Sequence, residues 1–265
     1  MGPDAGRRIV NLALRLRPFV LPALLLALWQ LAAMQAAPAD RMPVPADVVA
    51  TGWTLIASGE LPLALLQSLQ RVMLGFTTSA ALALVLGTAM AVYRPVGRNL
   101  DPIVESFRPI APIALLPLAI LWFGTGTPAA AFIVGYAAFF PMIVNTIHGV
   151  RSIDPGLIRA ARTLGVGRLT ILRTVVLPGA LPNLFVGARL ALGVAWTSII
   201  AAELAVGAKA GGGASGGIGQ MMFVFYAYSV DLSGIIVCMI GVGVVALLID
   251  RGVRALEYWM IPWKR

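Results

Sequence analysis

Long apolar runs, separated by short arginine-bearing segments, dictate what this chain can fold into. A helix that crosses a bilayer needs about 20 mostly apolar residues, because each advances it about 1.5 Å. Six stretches qualify: Phe19–Ala37, Leu63–Val92, Leu100–Trp122, Ala129–Ile147, Leu181–Val206 and Leu232–Ile249. Hydrocarbon offers no partner to backbone N–H and C=O groups, so such runs must be helical. The expected fold is an all-α polytopic membrane protein of about six transmembrane helices. With 59% hydrophobic and 12% charged residues, the chain has too little charged surface for a soluble protein of its size.

The charge pattern supports this reading. The net charge of +9 invites a nucleic-acid partner, but the basic residues gather on one predicted side of the membrane. Arg7, Arg8, Arg15, Arg17, Arg94, Arg98, Arg151, Arg159, Arg162, Arg168, Arg173, Arg251, Arg254, Lys264 and Arg265 fall inside, against Arg41 and Lys209 outside. Both termini are therefore expected in the cytoplasm, and no nucleic acid is expected as a partner. The first run, with its basic start and small residues near Ala33–Ala39, also fits a secretory signal peptide. Its length, with Trp29 and Gln30 late in it, favours a retained anchor.

The chain divides accordingly into a cytoplasmic segment 1–18, an anchor helix with an external connection 19–62, a membrane domain 63–250 and a cytoplasmic tail 251–265. Within the connection, Val48–Ser58 reads as a short surface helix with Trp53 at the interface. Pro109, Pro112 and Pro117 make the third span irregular, either to line a pathway or as a packing kink. The four-residue spacings Gly75/Ser79 and Gly187/Ala191 suit close helix approach.

The segment between spans four and five, about 151–178, is basic yet patterned. Arg151, Arg159, Arg162, Arg168 and Arg173 exclude it from hydrocarbon. Asp154 can cap a helix begun by Pro155, Gly165 can end it, and Pro178 is expected to stop any helix that reaches it. Leu157, Ala160, Ala161 and Leu164 fall at helical spacing and predict one apolar face, with Arg159 and Arg162 projecting elsewhere. A structured helix held at the membrane surface reads as a docking site for a soluble partner. The competing reading is an amphipathic helix resting on anionic lipid.

This segment resembles the cytoplasmic signature loop of ABC importer permeases, Glu-Ala-Ala, three residues, Gly, nine residues, Ile-x-Leu-Pro. Ala160 and Ala161 match the alanines, Gly165 the glycine, Val175 the isoleucine, and Leu177 and Pro178 the ending. Arg159 stands where the family usually has glutamate. Four more stretches are similar to the nitrate/sulfonate/taurine branch: Leu115–Gly126, Ala138–Pro141, Ala201–Leu204 and Ser215–Gly219.

The resemblance implies a type I importer transmembrane subunit of the inner (plasma) membrane, moving a small, anionic solute such as a sulfonate, taurine or nitrate. It implies a second permease copy, two cytoplasmic ATPase subunits and an external solute-binding protein, all amid membrane lipids. ATP and Mg would be bound by the ATPase, and this chain is expected to hold no cofactor and to catalyse no reaction. Arg159, Ala160, Ala161, Leu164, Gly165, Leu177 and Pro178 would couple it to the ATPase, through a cytoplasmic coupling helix.

Arg71, Arg189 and Glu203 fall in or near spans, where a bare charge is costly. Arg71 and Glu203 could shape an outer gate, and Arg71 or Arg189 could attract an anion. Structural ion pairs are the alternative. Asp101, Glu105 and Arg108 share a helical face and suggest a local charge network. Ser215, Gly216, Gly217 and Gly219 lie in a glycine run without the Gly-Lys-Ser/Thr ending of a phosphate loop, and they suggest contact with the binding protein. One histidine, His148, and one cysteine, Cys238, cannot build a metal site. The rival function is an ion-coupled secondary transporter or channel that works without ATPase partners.

Overall fold

The computed structural model describes residues 20–21, 23–35, 43–207 and 216–262. The short apolar helix α1 (Ala23–Gln35) and the helix α2 (Pro45–Ala57) precede the main bundle. The bundle then runs α3 (Glu60–Val92), α4 (Arg94–Phe107), α5 (Leu116–Phe123), α6 (Thr127–Arg151), α7 (Pro155–Thr163), α8 (Arg168–Ile171), α9 (Leu177–Gly207), α10 (Ile218–Val224) and α11 (Leu232–Met260). No strand occurs among the described residues.

Four helical stretches are long and apolar enough to span: Glu60–Val92, Thr127–Arg151, Arg168–Ala205 and Leu232–Met260. They contain the expected spans two, four, five and six almost in full. The expected third span is broken. α4 and the stretch Pro112–Phe123 meet at 89°, because Pro109 and Pro112 each lack an N–H and disfavour helix in the residue before them. The first expected span extends into residues outside the described set.

The fifth span corrects one expectation. Pro178 does not stop a helix. A π-turn over Leu172–Val176 joins α8 to α9, and helix continues through both Pro178 and Pro182. The wider turn relieves the clash between a proline ring and the preceding carbonyls, so the chain enters the membrane without a break.

Packing centres on α3, α6 and α9. One face of α3 buries Ser68, Val72, Gly75, Ser79, Ala83, Gly87 and Met90, residues three or four apart. The stripe is small so that backbones can touch: a Cβ on Gly75 would lie 2.6 Å from the Ala131 carbonyl oxygen of α6. Lipid supplies no water-driven force between helices, so such contact is a main source of cohesion. Across the other face of α6, Gly187 of α9 meets Asn145 closely, with 2.7 Å left for a Cβ. Both predicted small-residue pairs thus sit at interfaces.

α11 is fastened to α9 by a hydrogen bond from Trp196 Nε1 to the Val242 carbonyl (3.1 Å). Its outer face carries Met239, Ile240, Val244, Leu247 and Leu248, all exposed and suited to lipid. α2 buries Val48 and Leu55 and leaves Val49, Trp53 and Ile56 exposed, as a helix lying at an interface would.

Candidate functional site

The segment between α6 and α9 folds as its residues dictate. Asp154 Oδ1 accepts the Gly156 N–H at 2.7 Å, capping α7 where Pro155 begins it. Gly165, at φ +75°, reverses the chain beyond the other end. The Val166 N–H donates to the Ala161 carbonyl (3.1 Å) and the Gly165 N–H to that of Arg162 (3.0 Å), the paired bonds of a Schellman motif. A side chain at Gly165 would be strained whatever the space around it.

The expected single apolar face divides in two. Ile158 and Ala161 turn inward and pack, with Ile153 and Val166, against the bundle core. Leu157 and Leu164 turn outward, 57% and 82% exposed, with Ala160 exposed between them and Arg159 and Arg162 alongside. The inward pair seats α7 against the bundle, while the outward ridge leaves apolar surface exposed. Leu177 and Pro178 are half-buried at the entry of α9, so they anchor the segment rather than face outward.

A second cluster ties four elements together at the opposite end of α9. Glu203 is only 3% exposed. Its Oε1 accepts Arg71 Nη1 at 2.7 Å, and its Oε2 accepts Ser68 Oγ at 2.7 Å and the Gly219 N–H at 3.0 Å. Ser68 Oγ in turn accepts the Ile218 N–H at 2.8 Å, and Arg71 Nε donates to Thr127 Oγ1 at 3.3 Å. The carboxylate and hydroxyl thereby satisfy the first free N–H groups of α10, where a negative charge is also favoured by the helix dipole. The Arg71 guanidinium balances the buried charge, and α3, α6, α9 and α10 are locked to one another.

Gly217 and Gly219 belong to this lock. A Cβ on Gly217 would collide with Glu203 Oε1 and Ser68 Oγ, and one on Gly219 would lie 2.6 Å from the Ile200 carbonyl. Both are buried and Gly216 is half-buried, which corrects the expectation of an open contact surface at these glycines. The reason is steric: the run is glycine-rich so that backbone can close over a carboxylate. Ser215 lies outside the described residues. Ser68 and Thr127 carry no motif that sequence reasoning picks out, although Ser68 precedes Arg71 by three residues, one turn of the same helix.

Arg189 is also engaged. Its Nη2 lies 2.8 Å from Glu257 Oε2 and its Nε 3.4 Å from Asp250 Oδ1, joining α9 to the end of α11. The expected Asp101–Glu105–Arg108 network does not form. Asp101 faces Arg151 at 3.9 Å, and Arg108, at the end of α4, makes no ion pair among the described residues. No cluster of three metal-binding side chains occurs among the described residues.

Residues 79–261 match the family described as binding-protein-dependent transport system inner membrane component. The chain belongs to this family. The permease is 35% identical over 248 residues to the taurine transport system permease protein TauC of Escherichia coli K12, covering 92% of this chain and 87% of that one. It is 37% identical over 195 residues to the bicarbonate transport system permease protein CmpB of Synechococcus elongatus, covering 73% and 67% of the two chains. Among solved structures, an inward-facing MetNI methionine ABC transporter shares its fold, with a TM-score of 0.63 and 22% identity over 76% of this permease and 96% of that chain. The permease is accordingly an all-helical integral membrane protein of the ABC importer class.

Proposed function

We propose that this chain is the transmembrane subunit of an ATP-driven importer for a small oxyanion, of the sulfonate, nitrate or bicarbonate kind. The observation that carries the reading is α7: a capped helix between two membrane spans, packed inward through Ile158 and Ala161 and presenting Leu157, Ala160 and Leu164 outward. A partner that grips the ridge would move α6 and α9 with it, since Ile158 and Ala161 pack α7 against the bundle core. In this reading the partner is a cytoplasmic ATPase carrying ATP and Mg, two of them serving two permease copies, while an external solute-binding protein delivers substrate. Both termini lie inside. Arg159 gives the docking ridge a positive border, which calls for an acidic rim on the ATPase groove.

The anionic substrate class draws on the taurine and bicarbonate relatives. The test is to reconstitute the permease with its neighbouring ATPase and binding protein in vesicles and to measure ATP hydrolysis and uptake with taurine, methanesulfonate, nitrate and bicarbonate. Stimulation and uptake by at least one of these are expected. Uptake by the permease alone, without ATP, would support the secondary-transport alternative instead.

A further inference from the structure

Arg71, Arg108 and Arg189 fall inside the apolar runs expected to span, and carboxylates hold two of them. Arg71 is paired with Glu203, and Arg189 with Glu257 and Asp250. Arg108 makes no ion pair among the described residues, not even with Glu105 one turn before it. It stands at the break after α4, level with Tyr136 near the middle of the spanning helix α6, whose hydroxyl meets the preceding Phe107 carbonyl. An unneutralised guanidinium at such depth is costly unless it faces water or a ligand.

Arg108, itself exposed, lines an open cavity of about 350 Å³ on the face of the bundle. The cavity runs along α6 from Tyr136 to Asn145 and is walled by apolar side chains, among them Ile110, Phe140 and Leu190. The break that places Arg108 there is itself pinned: Tyr136 Oη donates to the Phe107 carbonyl at 2.6 Å. The phenolic proton is therefore spent on the scaffold. Asn145 Nδ2 uses one N–H on the Pro141 carbonyl (2.8 Å) and retains a second. An arginine fork and an amide N–H in a largely apolar groove suit a planar or tetrahedral oxyanion, whose two oxygens a guanidinium can bind side by side.

We infer that Arg108, assisted by Asn145, forms an intramembrane oxyanion subsite on the transport path, in place of the Arg71 and Arg189 that sequence alone suggests. The inference rests on the proposed anionic substrate class and names where that anion is held. The positive charge lowers the barrier for an anion in a low-dielectric passage. A lipid phosphate offers the same chemistry and must be distinguished from a solute.

The test uses the permease–ATPase complex in nanodiscs, with Cys238→Ala and a cavity-wall reporter, Val194→Cys. The rate of N-ethylmaleimide modification is followed with nitrate, methanesulfonate or neutral urea added, in phosphatidylcholine alone and with phosphatidylglycerol. Nitrate or methanesulfonate is expected to slow modification and urea to leave it unchanged. Arg108→Gln should weaken the protection by about tenfold to a hundredfold in the anion concentration required, and Arg108→Lys should keep part of it. Absence of protection with Arg108 intact, or equal protection in Arg108→Gln, overturns the subsite, as does protection that phosphatidylglycerol alone confers. Wild-type uptake separates the two readings: an importer that moves one of the anions without Arg108-dependent protection refutes the subsite only, and one that moves none refutes the substrate class.

Discussion

Removing the Arg71 side chain should damage the protein far more than removing an ordinary arginine. Glu203 is 3% exposed and has three donors, of which Arg71 alone carries charge. In Arg71→Ala the carboxylate keeps the Ser68 hydroxyl and the Gly219 N–H but loses its counter-charge. Stranding a buried charge in this way costs about 3–5 kcal/mol, against about 0–1 kcal/mol for a solvent-exposed pair. Adding Glu203→Gln to Arg71→Ala removes the stranded charge and leaves a neutral amide of the same shape. The double variant should then be less damaged than Arg71→Ala alone, by about 1–3 kcal/mol. The assay is a double-mutant cycle on unfolding of the purified protein in mixed micelles, read by tryptophan fluorescence. A cost below about 1 kcal/mol for Arg71→Ala, or strictly additive single effects, would refute the lock.

Other contacts give outcomes of different size. Gly75→Leu should destabilise the bundle by about 1–3 kcal/mol or more, because the new side chain starts 2.6 Å from a backbone oxygen, whereas Gly243→Ala meets nothing within 4 Å and should be neutral or stabilising; thermal unfolding in detergent compares them. Asp154→Ala should cost about 1 kcal/mol in local helix stability, seen as faster hydrogen exchange over α7 with the membrane spans unchanged. Replacing both Leu157 and Leu164 by serine should leave folding intact, since both are exposed, yet weaken ATPase co-purification at least about tenfold; undiminished co-purification would rule out the ridge as the contact.

Much of the fold is readable in the residues because membrane helices obey a single strong constraint. Apolar length yields spans two, four, five and six, and Asp154, Pro155 and Gly165 yield both ends of α7 from capping chemistry alone. The failures have a common origin in tertiary context. Pro178 reads as a stop by local rules, but a preceding π-turn absorbs it. Ala160 and Ala161 both fit the one broad face drawn from Leu157 to Leu164, although only the neighbouring core decides which one turns inward. The glycines at 216, 217 and 219 read as a flexible loop, because nothing in sequence indicates that Glu203 and Ser68 lie beneath them. Likewise Arg71 and Arg108 are equally basic on paper, and only the fold gives one a carboxylate and the other a cavity.

If work from ATP hydrolysis enters this chain through the outward ridge of α7, the ridge must lie in the cytoplasm against the ATPase. Cysteine at Leu164, in a Cys238→Ala background, probes both conditions in intact membranes. Leu164→Cys is expected to be shielded from membrane-impermeant reagent applied outside, to react once the cytoplasmic face is opened, and to crosslink to the co-expressed ATPase subunit. Labelling from outside, or complete absence of that crosslink in an assembled and active complex, would contradict entry of force at α7.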